Sequence, residues 1–221
     1  MDNSSKKPLS NPSLTKGDDE HNNKPWKKKK SPNFDYENLL SLDQKDRINP
    51  ADYDLGKKLF GDKFVYYYQV NDCDTNKPFF AKILRRNKYK DRENINSYKQ
   101  YRENLSNELN IISQLNHPSI IKYIGFSSVG FSQKHQPAIL TEFVQNGSLS
   151  KIIQAAKENP GSFTLNDTQK LINIYGIALG MSYLHDYNIL HRNITPSSIL
   201  ENENYYPIIS NFDFAYVLED D

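Results

Sequence analysis

The segment ILHRNITPSSIL, residues 189–200, sets an imidazole, a guanidinium, a carboxamide and three hydroxyls between two short apolar pairs. A loop of this shape can orient a hydroxyl and, with a carboxylate in it, take the hydroxyl's proton. Asn193 stands where that carboxylate would serve. A carboxamide cannot take up a proton near neutral pH, so Asn193 is no general base. A positioned general base is typically worth about 10² to 10⁴ in rate. Two further sets of groups bear on the same chemistry. Lys82 lies in the apolar run KPFFAKIL (77–84), and Asn211-Phe212-Asp213 follows PIIS a few residues beyond the loop.

These groups need elements to hold them. YDLGKKLFGDKFVYYYQV (53–70) and KPFFAKIL are rich in Tyr, Phe, Val and Leu, with turn residues between, which predicts a β-meander. In NLSNELNIISQLNH (104–117), Leu105, Leu109, Ile112 and Leu115 fall at helical spacing. SIIKYIGFSS and PAILTEFV read as two more strands, and a helix is expected from about Ser148. The longest helical pattern spans 164–185; Thr164 with Asp167 resembles a capping box, and Leu171, Ile174, Ala178 and Met181 make a stripe. Strands, one helix, strands and then helices is an α+β order.

The chain has 221 residues and a net charge of +1, so no global field favours nucleic acid. Its one cysteine, Cys73, rules out an intrachain disulfide and fits a reducing compartment. No apolar run follows Met1 and none later reaches the length of a bilayer, so an intracellular protein without a membrane span is expected, cytoplasmic or nuclear. Residues 1–45 are polar and aperiodic, the composition of a disordered tail. Its four lysines, Lys27 to Lys30, read either as a solvated basic tail or as a contact for an acidic surface or an import receptor.

Taken in order, FFAKIL, NELNIISQLNHPSIIKYIGF, LTEFVQNGSL, GIALGMSYLHDYNILHRNITPSSIL and PIISNFDFA resemble a protein kinase domain, in flavour that of the tyrosine-kinase-like serine/threonine group. The resemblance runs from about Asp52 to Asp221. It implies a bilobal fold with a β-rich N-lobe over 46–145, a partial C-lobe over 146–221, and a hinge at Glu142, Phe143 and Val144 behind Thr141. The activation segment and the later C-lobe helices have no counterpart, so the chain reads as truncated and the Ile174, Ala178 and Met181 side of its long helix is expected to lie exposed.

The resemblance also implies ATP and Mg²⁺ as cofactors, and it assigns site positions. Lys82 matches the phosphate-pairing lysine and Glu108 its helix partner. Phe60, Asp62 and Val65 replace the three glycines of the phosphate-covering loop, with Asp62 expected to aim its charge at the phosphates. Tyr67 and Phe80, over Leu200, stand where small residues usually frame the purine, and two rings there can fill the slot. Asn193, Thr195 and Ser198 replace the catalytic aspartate, the phosphate lysine and a metal-ligating asparagine. Aligned without gaps, Asn211 replaces the metal-binding aspartate; a two-residue hairpin insertion would put Asp213 there instead. Ile112, Tyr123, His191 and Phe212 match the stack that couples the helix to the catalytic loop. Retained packing with discarded chemistry is the profile of a pseudokinase, expected to work as a protein-binding or allosteric module whose partner is another protein, an active kinase being one candidate. The alternatives are a weakly active serine/threonine kinase that uses Asp213, and a non-functional gene fragment.

Overall fold

The computed structural model describes residues 47–85, 92–131, 136–159, 161 and 163–218. The expected polar tail, with Lys27 to Lys30, lies outside the described residues. Five antiparallel strands form one sheet: β1 (Tyr53–Gly61), β2 (Val65–Asp72), β3 (Pro78–Leu84), β4 (Tyr123–Ser127) and β5 (Ala138–Glu142), in the order β1-β2-β3-β5-β4. Alternation gives the sheet two working faces. Val70, Phe79, Ala81, Ile83, Ala138 and Leu140 share one face as a buried cluster, closed over by Ile48, Tyr53 and Phe131. The other face carries Tyr67, Phe80 and Lys82, because Tyr67 pairs with Lys82 and Phe80 with Thr141.

Helix α1 (Arg92–Ile112) packs on that second face through Leu105, Glu108, Leu109 and Ile112, all buried. It starts well before the apolar periodicity does. The first turns, RENINSYKQYR, carry no apolar stripe, and helix-favouring Arg, Glu, Lys and Gln extend the helix outward where packing does not decide. Leu115, counted in the helical stripe, is buried in the turn that follows.

Helix α2 (Leu149–Glu158) begins after Ser148 as expected. Helix α3 (Asp167–Asp186) is capped otherwise than the sequence suggested. Asn166 and Gln169 form the capping box, and Asp167 is the first helical residue. Four short strands complete the chain: β6 (Ile189–Leu190) pairs with β9 (Tyr216–Val217), and β7 (Ile199–Glu201) with β8 (Pro207–Ile209). Among the described residues, no helix is long and apolar enough to cross a membrane.

The buried side of α3 is not its apolar stripe. Leu171 and Ile174 are 66 % and 67 % exposed, and Ala178 is exposed too. The face turned inward carries Asn173, Gly180 and Leu184, with Gly176 half-buried. Glycine is required there by close approach: a Cβ on Gly176 would lie 2.7 Å from Pro207 Cγ, and one on Gly180 would lie 2.8 Å from Ile209 Cδ1. The exposed side holds the large apolar side chains of Leu171, Ile174, Tyr175 and Leu179, as expected for the Ile174 side of this helix.

Gly176→Ala separates these two demands. Alanine gains about 1 kcal/mol of helix propensity, while forcing a methyl against a proline ring that cannot rotate away costs typically 1–3 kcal/mol. A net loss of about 1 kcal/mol is expected in urea unfolding; a stabilised variant would mean that α3 and β8 do not touch as described.

Candidate functional site

Lys82 sits on the inner face of β3, 7 % exposed, and its Nζ lies 2.6 Å from Glu108 Oε2 on α1. The same ammonium also bonds Asp213 Oδ1. The gapless alignment and the insertion alignment therefore each describe part of the geometry. Phe212 is fully buried against His191, with ring centroids 4.8 Å apart, which is what the gapless alignment requires. Asp213, one residue further, is nevertheless the carboxylate that reaches the lysine. Asn211, in the left-handed region at φ 66°, does not bond it.

Burial alone would lower the Lys82 pKa, but the Glu108 and Asp213 carboxylates outweigh it and the ammonium is held charged. Glu108 moves up for the complementary reason: burial, reinforced by Asp213, exceeds the pull of Lys82. Two carboxylates around one ammonium leave Lys82 with its charge already answered.

Above the lysine lie three rings. Phe60 stacks on Tyr67 with centroids 4.3 Å apart, and Phe80 lies 5.6 Å from Tyr67 and 6.1 Å from Phe60. Burial pushes the Tyr67 hydroxyl up to about 12. Phe60, at the position of a lost glycine, is thus also the third ring over the lysine. Phe60↔Tyr67 is a cross-strand pair of the β1–β2 hairpin, a contact that strand register alone would have suggested.

At the hairpin tip the structure corrects the expectation for Asp62. Its carboxylate does not aim at a phosphate position. Oδ1 accepts from the backbone N–H groups of Phe64 (2.7 Å) and Val65 (2.8 Å), and Oδ2 accepts from the Tyr101 hydroxyl of α1 (2.9 Å). Burial would raise its pKa, but the two backbone bonds, the Tyr101 hydroxyl and nearby Arg85 lower it on balance. The tip amides thus already hold an anion, supplied by the chain itself. An aspartate two and three residues before turn amides is a sequence signal for such a fold-back.

The loop at 191–198 is held by its own polar atoms. His191 is 1 % exposed; its Nδ1 accepts from Asn193 N (3.2 Å), so Nε2 carries the proton and donates to Ser210 O (3.0 Å). Burial lowers its pKa despite that carbonyl, which fits a neutral packing ring. Arg192, at φ 58°, donates from Nε to Phe214 O (2.6 Å) and lies over the Tyr216 ring.

Ser198, assigned beside a metal, is instead fully buried inside the loop. Its Oγ accepts from Thr195 N (2.9 Å) and lies 2.8 Å from Asn193 O and 2.9 Å from Thr195 O. One hydroxyl on so short a side chain reaches only the loop's backbone. Thr195 is exposed, its hydroxyl 2.7 Å from Ser197 Oγ. The Asn193 side chain is half-buried and carries no charge to offer.

The connecting segment closes the cleft from behind. Thr141 is buried, Glu142 Oε1 accepts from Lys122 N (2.9 Å), and Val144 is buried within the hinge. Leu200, half-buried on β7, pairs with Ile208. Among the described residues, no three His, Cys, Asp or Glu side chains are gathered as a metal centre would need.

Residues 53–221 match a family model described as "Protein kinase domain". The chain is 39% identical over 124 residues to "Ephrin type-B receptor 2" of Gallus gallus and 40% identical over 124 residues to "Ephrin type-A receptor 5" of Rattus norvegicus. Each alignment covers 56% of this chain and 11% of the relative, so the matched part is a small share of those longer proteins.

Proposed function

The chain belongs to the protein kinase domain family, and from that premise we propose that it is a catalytically impaired member, a pseudokinase that works as a protein-binding or allosteric module, with another kinase as its partner. Kinases of this family hold ATP phosphates with a glycine-rich loop and a lysine, bind Mg²⁺ through an aspartate and an asparagine, and take the substrate's proton with a second aspartate. One observation carries the reading: Ser198, at the position of a metal-ligating asparagine, is fully buried with its hydroxyl bonded to the backbone of its own loop.

The residues do not fit Mg²⁺-ATP. Mg²⁺ prefers carboxylate oxygens, whereas Asn211 is neutral and Ser198 is turned into its own loop. Phe60, Tyr67 and Phe80 lie together where the purine would enter, and Asp62 holds the tip amides. The chain's own groups do something else. They tie α1 to the sheet through Lys82, and the loop to the core through His191.

The test is phosphoryl transfer from labelled ATP to a generic protein substrate by the full chain, beside thermal unfolding with ATP and with ATP plus Mg²⁺. Neither transfer above a chain-free blank nor a nucleotide shift is expected. Transfer that scales with chain concentration would overturn the proposal.

A second reading has one observation in its favour. Asp213 lies against Lys82, where a slow, weakly active kinase would need its metal ligand. It requires Mg²⁺-dependent ATP binding that disappears in Asp213→Ala.

A further inference from the structure

Glu201 closes β7 and is fully buried. Its backbone joins the hairpin to the hinge: its N–H donates to Gly147 O (2.8 Å), and its carbonyl accepts from Asn146 N (3.1 Å). Its side chain faces α3. Glu201 Oε2 accepts from Asn173 Nδ2 at 3.4 Å, a long bond, because the same amide nitrogen also donates to Gln169 O (3.1 Å) and Tyr205 O (3.2 Å).

Two acceptors are left over. Glu201 Oε1 and Asn173 Oδ1 are both buried and have no hydrogen-bond partner. Exchanging the amide's oxygen and nitrogen would not help, since Oδ1 would then confront the carbonyls of Gln169 and Tyr205. An ionised Glu201 would be a buried charge resting on one long bond, a costly state. A single proton resolves both deficits. A carboxylic acid and a carboxamide side by side form a two-bond ring, amide N–H to acid oxygen and acid O–H to amide oxygen.

We propose that Glu201 is kept as a neutral acid whose O–H donates to Asn173 Oδ1, and that loss of this proton unlocks the junction of hinge, β7–β8 hairpin and α3. The groups around it agree. From α3 it meets Asn173, from the hinge Asn146 and Gly147, and from the hairpin turn Tyr205, whose ring is stacked on Phe163. Burial is the leading cause that pushes Glu201 up to about 7, opposed only by the Asn173 bond.

The sign follows from the raised folded value. Below the unfolded carboxyl range both states are protonated and the acid's stabilisation is complete. As pH rises to about 7 the unfolded chain releases its proton first, and stability falls. Across pH 5 to 8 this group should raise the unfolding equilibrium constant by roughly 10²-fold. Glu108 shifts in the same direction, so the readout is the difference between wild type and Glu201→Gln, whose amide keeps a donor at every pH.

The experiment is urea unfolding of the full chain and of E201Q from pH 5 to 8, with ¹³C titration of the Glu201 carboxyl and hydrogen exchange at the Asn146 and Glu201 amides. E201Q should lose the roughly 10²-fold component, and the carboxyl should titrate near 7. The two amides, corrected for base catalysis, should lose protection above that midpoint. If E201Q keeps the wild-type slope, or the carboxyl titrates in the ordinary range, the neutral acid is refuted. Should E201Q fail to fold, the carboxyl titration alone decides. Titration near 7 with undisturbed hinge amides would refute the unlocking.

Discussion

Lys82→Met is expected to cost about 3–5 kcal/mol, the usual penalty for removing one partner of a buried ion pair. The loss comes less from the bond than from what it leaves: Glu108 and Asp213 facing each other without the ammonium between them. For a domain of this size that lowers the thermal midpoint by on the order of 10 °C. The pH dependence identifies the cause. Glu108 is already raised by burial and by Asp213; without the lysine it rises further, takes a proton as the solution is acidified, and ends the repulsion. The deficit should therefore shrink from pH 8 to pH 5. Lys82→Met with Glu108→Leu should recover part of it, because an apolar pair of similar volume replaces a stranded charge. Urea unfolding at both pH values checks this, and a deficit below about 1 kcal/mol at pH 8 would show that the bridge is not closed in solution.

Tyr67→Val with Phe80→Ala is expected to raise adenosine affinity above that of the wild type. The two substitutions remove two of the three rings that meet over Lys82, leaving Phe60 without its stacking partner. Both rings are only half-buried, so the stability cost should stay near the low end of the 3–5 kcal/mol typical of a buried aromatic. What remains is an apolar slot with Thr141, Val144 and Leu200 on the elements around it, which suits a flat heterocycle. Adenosine should gain more than ATP, since Asp62 already occupies the tip amides and the Glu108–Lys82–Asp213 group carries surplus negative charge. At a hundred times its dissociation constant, a ligand stabilises by about 2.7 kcal/mol, a midpoint shift of several degrees. A variant that folds and ignores adenosine would show that the rings are not what closes the slot.

The sheet was legible because strands leave a short local pattern, while the Lys82–Glu108 pair and the packed His191–Phe212 contact were implied only by the resemblance to a protein kinase domain. What escaped was set by relations the pattern does not carry. The exposure of Ile174 and Ala178 was expected, but the inward face of α3, where glycines admit Pro207 and Ile209, carries no apolar stripe to mark it. Asp62 and Ser198 were assigned by the positions they occupy in a motif, yet each satisfies backbone groups within its own turn or loop. Asp213 was offered only by the insertion alignment; that it reaches Lys82 while Phe212 keeps the packed place of the gapless one is set by the path of the backbone. Glu201 drew no notice at all. In the polar run ENEN nothing distinguishes a glutamate that ends a strand against a buried asparagine from one that faces water.

The bond between Lys82 and Asp213 joins positions 131 apart in the chain, whereas Lys82 and Glu108 are separated by 26. Loop-closure entropy makes the shorter connection the earlier one, and contacts of long sequence separation form late in folding. During synthesis the lysine and glutamate can therefore pair while everything from the hinge onward is still unmade, and the sheet with its helix becomes a body of its own before the aspartate arrives. The site is then assembled in two strokes. Weakening the second should speed unfolding and leave the rate of folding nearly untouched, so Asp213 sets how long the closed site lasts rather than how quickly it forms.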